Sequence, residues 1–117
     1  MTTASQSVPK KILLNAFDMN CVGHINHGLW THPRDESQRF NELSYWTDLA
    51  QTLEHGLFDG LFIADITGVY DVYQNNIDLT LKESIQLPSH DPSTLVSAMA
   101  AVTQHLGFGV TVNLSYE

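Results

Sequence analysis

Cys21, His24, His27 and His32 fall within twelve residues of the stretch NAFDMNCVGHINHGLWTHP. Thiol and imidazole are the side chains that bind zinc, act as nucleophiles and carry protons. The spacing C-x2-H-x2-H-x4-H lacks the paired ligands of two zinc knuckles, so a small zinc-binding module is the weaker reading and no metal is expected. A lone cysteine is also an ordinary buried apolar residue, and loop imidazoles are ordinarily satisfied by neighbours. Two further polar groups stand out: Asp65 with Thr67 and Tyr70, and Thr111 with Asn113 and Ser115. An aspartate after a strand is as often a turn residue as a functional one.

The elements around these groups give them a common place. KILLNAFDM (Lys11 to Met19) reads as a near-continuous apolar strand, suited to a parallel sheet covered on both faces. Trp46, Leu49, Ala50 and Leu53 recur at helical spacing, with Asn41 as the expected N-cap and Gly56 at the stop. GLFIAD (Gly60 to Asp65) is a second strand. The segment 66–91 reads as a long loop with a helical turn near 77–86. Asp91 and Pro92 suit a helix start, and Leu95, Met99, Val102 and Leu106 form its stripe up to Gly107. FGVTVNLSY (Phe108 to Tyr116) is a third strand.

The order is βαβαβ, an α/β fold with parallel strands. An open doubly wound sheet and part of a (β/α)8 barrel both fit. NCVGHINHG after the first strand is not a GxGxxG turn, which lowers the dinucleotide reading. In either architecture the three polar groups lie at or near strand C-termini and share one edge, where ligands bind. Both long loops, 20–40 and 66–91, lie on that same face.

The totals exclude several classes. With 117 residues the chain has room for one small domain, and residues 1–10 read as a flexible polar lead-in to a domain over 11–117. Net charge is −8 with five Lys and Arg, which argues against a nucleic-acid or anionic-membrane partner. No apolar run reaches about 20 residues, and MTTASQSVPKK has no secretory core. The single cysteine cannot form an internal disulfide, so a cytoplasmic location is expected.

NAFDMNCVGHINHGLW, YWTDLAQTLEHGLFDGLFIAD, GVYDVY and DPSTLVSAMAAVTQHLGFGVT, in this order, resemble segments of the bacterial-luciferase-like FMN-dependent monooxygenases. That group includes nitrilotriacetate and dibenzothiophene-sulfone monooxygenases, and the likeness is strongest to its alkane-oxidising members. The resemblance implies a (β/α)8 TIM barrel, reduced FMN supplied by a separate flavin reductase, and O2 as co-substrate through a flavin C4a-hydroperoxide. It also implies a small organic substrate, such as a long-chain alkane. It places Asp65 and Thr111 at the FMN, and Cys21 and His24 near the flavin and substrate as catalytic residues. Tyr70 and Gln86 line the cavity. Phe17, Val22 and Ile66 would hold an apolar substrate by burial alone.

Against that family the chain is short. It reads as the N-terminal βαβαβ portion of an incomplete barrel, which typically needs about 250 residues. Lysines stand only at positions 10, 11 and 82, and no Gly-rich phosphate loop is visible. The alternatives are therefore an inactive truncated piece and one half of a split barrel. Open sheet edges would favour homo-oligomers.

Overall fold

The computed structural model describes residues 10–23 and 28–114. Three strands, β1 (Asn15–Met19), β2 (Gly60–Ala64) and β3 (Gly107–Val110), form one sheet in the order β1-β2-β3. Both pairings are parallel, with Asp18 beside Ile63 and Ile63 beside Val110. Helix α1 (Leu43–His55) lies in the first crossover. A short α2 (Asp78–Glu83) and α3 (Ser93–Ala101) lie in the second.

The expected stripe of α1 is the buried one. Trp46 and Ala50 are fully buried, and with Leu53 they join Leu61 and Ile63 of β2 and Leu95 and Met99 of α3 in one core. The Trp46 indole Nε1–H donates to the Phe40 carbonyl oxygen at 2.7 Å, which fixes the approach of the loop to α1. Among the described residues, helices cover this face of the sheet only. On the other face the rings of Phe17 and Phe62 stack at 5.7 Å and remain 50% and 37% exposed. The expectation of a first strand covered on both faces is therefore met on one face among the described residues.

Four boundaries differ from the sequence expectation. β1 starts at Asn15 rather than Lys11, opposite its partner Gly60, the first residue of β2, and before it the Asp59 N–H still donates to the Leu14 carbonyl at 2.8 Å. There Asp59 takes over: its carboxylate accepts from Lys11 Nζ at 2.6 Å and from the Leu14 N–H at 3.0 Å. β3 spans Gly107–Val110, with one more rung from the Thr111 N–H to the Ile63 oxygen at 3.2 Å. α3 ends at Ala101, so Leu106 is buried from a turn and Gly107 opens β3 instead of closing a helix. That turn is held by Glu54 Oε1, which accepts from the N–H groups of Gln104, His105 and Leu106.

At the starts of the helices, Glu42 rather than Asn41 occupies the N-cap of α1, without a side-chain cap bond. At α3 the N-cap is Pro92 rather than Asp91; Asp91, one residue earlier, still braces the start, its carboxylate accepting from the Ser93 N–H and hydroxyl, both at 2.8 Å.

Candidate functional site

Parallel pairing puts the ends of β1, β2 and β3 side by side, so Cys21, Asp65 and Thr111 all leave the same edge. Two of them meet directly. The Asp65 N–H donates to Thr111 Oγ1 at 2.5 Å, tying the end of β2 to the end of β3. The Thr111 oxygen is thereby used as an acceptor, and its O–H proton remains to donate outward. Thr111 shares its sheet face with Gly109 and so with Phe62, the face away from the helices.

After β1 the chain is buried rather than looped out. Asn20, Cys21 and Val22 are 2%, 4% and 7% exposed, and the Cys21 N–H donates back to the Met19 oxygen at 2.7 Å. Val22 is clamped from the second loop, where the Gln86 N–H donates to its carbonyl at 2.8 Å. Gln86 is itself 5% exposed, so the structure brings Cys21, Val22 and Gln86 into one buried junction of the two long loops. Gly23 follows at φ +77, a conformation open to glycine, and a Cβ there would stand 3.3 Å from the Trp30 ring. The indole thus packs against the backbone next to the junction.

Phe17 sits on the helix-free face in its stack with Phe62. Ile66 and Tyr70 are exposed on the loop after β2, 47% and 71%, rather than enclosed with Gln86. Thr67 and Asn113 are also exposed. His24, His27 and Ser115 lie outside the described residues. Among the described residues no group of three or more His, Cys, Asp or Glu could hold a metal ion.

Two features escaped the sequence reading. Asp18, an acid inside an apolar strand, is partly buried, and desolvation raises its pKa above the ordinary value of 3.8. A hydrogen bond from the Met19 N–H opposes the shift and the nearby charge of Asp35 adds to it. The same group acts on Tyr45: burial, then the charges of Asp18, Asp35 and Glu36, push that phenol up to about 12. The second feature is Asn20, whose buried Oδ1 has no hydrogen-bond partner among the described residues. The acid in KILLNAFDM was a visible signal; the orphaned amide oxygen had none.

No family model matches the chain. Long-chain alkane monooxygenase of Geobacillus thermodenitrificans is 56% identical over 108 residues, 92% of this chain and 24% of the relative. A crystal structure of long-chain alkane monooxygenase superposes with a TM-score of 0.82 over 90% of this chain and 24% of that one. Over about nine-tenths of its length the chain matches part of the luciferase-like monooxygenases. Dimethyl-sulfide monooxygenase of Hyphomicrobium sulfonivorans is 53% identical over 108 residues, 92% of this chain and 22% of the relative. A riboflavin lyase structure, solved with modified FMN and riboflavin, gives a TM-score of 0.80 at 30% identity over 92% of this chain and 24% of that one. The chain spans about a quarter of the length of the curated relatives it matches. The solved relatives are luciferase-like TIM-barrel enzymes, and the three-stranded parallel sheet of this chain fits one part of such a barrel. Its helix-free face corresponds to the barrel interior, and the C-terminal edge of its strands to the rim where such barrels carry their active sites.

Proposed function

We propose that this chain supplies one wall of the flavin and substrate pocket of an FMN-dependent monooxygenase acting on a small apolar organic substrate. The observation that carries the reading is the hydrogen bond from Asp65 to Thr111 at the C-terminal edge of a sheet that matches flavin-enzyme relatives. Bound reduced FMN would supply the electrons with which one atom of O2 enters the substrate and the other leaves as water.

The residues fit the ring system of a flavin. Asp65 and Thr111 offer a carboxylate and an outward hydroxyl at adjacent strand ends, and Phe17 and Phe62 give the helix-free face an apolar floor. Arg39, the cation beside the loop into α1, is already engaged: it pairs with Glu36 at 2.6 Å and with Glu42 at 2.9 Å. We therefore assign Asp65 and Thr111 to the ring end of FMN rather than to its phosphate.

Cys21 and His24 are assigned to the reacting end of the substrate, with His24 as the proton carrier and the buried Cys21 as a shape-defining thiol. Val22 and Gln86 form the wall beside Cys21; Phe17, Ile66 and Tyr70 complete the apolar lining once the pocket is closed. Burial would exclude water from the reaction, which limits loss of the reacting oxygen as hydrogen peroxide. A separate flavin reductase delivers reduced FMN, and the protein works in the cytoplasm. No described helix is long and apolar enough to cross a membrane.

The test is oxygen uptake by the protein at its natural length, given reduced FMN and a linear alkane. Alcohol formed in step with the oxygen consumed supports the reading. Oxygen uptake that yields only hydrogen peroxide, with every substrate tried, refutes it.

A further inference from the structure

On the helix-free face the three strands line up in rungs. Phe17, Phe62 and Gly109 share the middle one. The rung nearer the rim holds Met19, Ala64 and Thr111, whose hydroxyl oxygen takes the Asp65 N–H. The rung on the far side holds Asn15, Gly60 and Gly107.

The middle rung is an aromatic layer. The rings of Phe17 and Phe62 stack at 5.7 Å with their planes 25° apart. A Cβ on Gly109 would stand 3.2 Å from Phe62 Cδ2. The Phe62 ring therefore leans from β2 onto the bare backbone of β3, and with Phe17 it spans all three strands. Below this layer the side chains thin out. Gly60 and Gly107 have none, and with Asn15, Phe62 and Gly109 they border a hollow of about 280 Å³ toward the N-terminal ends of the strands. Among the described residues, the two stacked rings are what separates the candidate site at the rim from this hollow.

We infer that Phe62 is a specificity-determining residue: its ring is the floor of the substrate pocket and limits the bulk that fits below the rim. The inference rests on the monooxygenase reading and adds to it the residue that sets substrate size. A phenyl ring offers no hydrogen bond, so it selects by volume alone, and one methylene of misfit in an apolar pocket is worth about tenfold or more.

The test compares wild type, Phe62→Ala and Phe62→Leu in the protein at its natural length. The first readout is a crystal structure under xenon pressure, because xenon fills apolar cavities. Xenon should occupy the place of the lost ring in Phe62→Ala, in a space continuous from the rim to the hollow, and be missing there in the wild type. The second readout is oxidation of n-octane and of its compact isomer 2,2,4-trimethylpentane. The kcat/KM ratio of the branched over the linear isomer should rise about tenfold in Phe62→Ala and less in Phe62→Leu, with FMN affinity within about twofold of wild type. The leucine variant decides the question should the alanine variant fail to fold. A hollow filled by other side chains, no xenon beneath the rim in Phe62→Ala, or an unchanged ratio would each overturn the inference. FMN affinity that falls with the ring would also overturn it, since the ring would then serve the flavin. A wild type that oxidises neither isomer and yields only hydrogen peroxide would refute the monooxygenase reading, while the xenon result still decides whether Phe62 is the partition.

Discussion

The Asp65 N–H and the Thr111 hydroxyl oxygen lie 2.5 Å apart, joining residues 46 positions distant in sequence across the ends of β2 and β3. Replacing Thr111 by Val keeps the shape and removes the acceptor. The partly buried Asp65 N–H then loses that acceptor, at a cost of about 1–3 kcal/mol. Denaturant unfolding at neutral pH should show that loss, and Thr111→Ser should recover most of it.

Asp18 makes stability depend on pH. Its carboxyl is raised above 3.8, chiefly by desolvation, so the folded protein holds a proton that the unfolded chain gives up first. Its contribution is fully present below the ordinary carboxylate value and is lost as pH rises through the elevated one. Above that point the loss is constant. Asp18→Asn should therefore flatten the decline in melting temperature between about pH 4 and 7. Parallel curves for the wild type and Asp18→Asn would show that this carboxyl titrates normally.

Glu54 has the opposite sign. Backbone hydrogen bonds from His105 and Gln104 lead the lowering of its pKa below 4.5. Its contribution is present above the ordinary value and lost as pH falls through the lowered one. Glu54→Gln should be less stable than wild type at neutral pH, and the two should converge in acid. Amide exchange of residues 104–106 should speed up in the variant.

Trp46 anchors the core. Trp46→Ala should cost about 3–5 kcal/mol through cavity formation. Trp46→Phe should cost less, about 1–3 kcal/mol, mainly because the Phe40 carbonyl loses the indole N–H. Urea titrations of both variants check the order.

Much of this fold was legible because it rests on local periodicity. The Trp46, Ala50 and Leu53 stripe, the strand GLFIA and the helix start near Asp91 all follow rules that act within one or two turns. The misplaced strand and helix ends depend on distant partners. α3 stops at Ala101 where Glu54, from another helix, binds the N–H groups of residues 104–106. β1 loses Lys11 to Leu14 because β2 begins only at Gly60. The site follows the same division. That Asp65 and Thr111 share an edge followed from strand order, whereas their direct bond needed the register of two strands. The seat of Trp30 depends on Gly23 at positive φ, and the orphaned Asn20 oxygen depends on packing around a single atom; neither leaves a periodic trace.

The central claim is that the Asp65–Thr111 edge holds the ring end of a flavin, and a titration of FMN into the protein at its natural length, read by flavin fluorescence, tests it most directly. Saturable binding that weakens about tenfold or more in Asp65→Ala and in Thr111→Val, with both variants folded by circular dichroism, is the predicted result. Binding of undiminished strength in both variants, or no binding of oxidised or reduced FMN by the wild type, would contradict it.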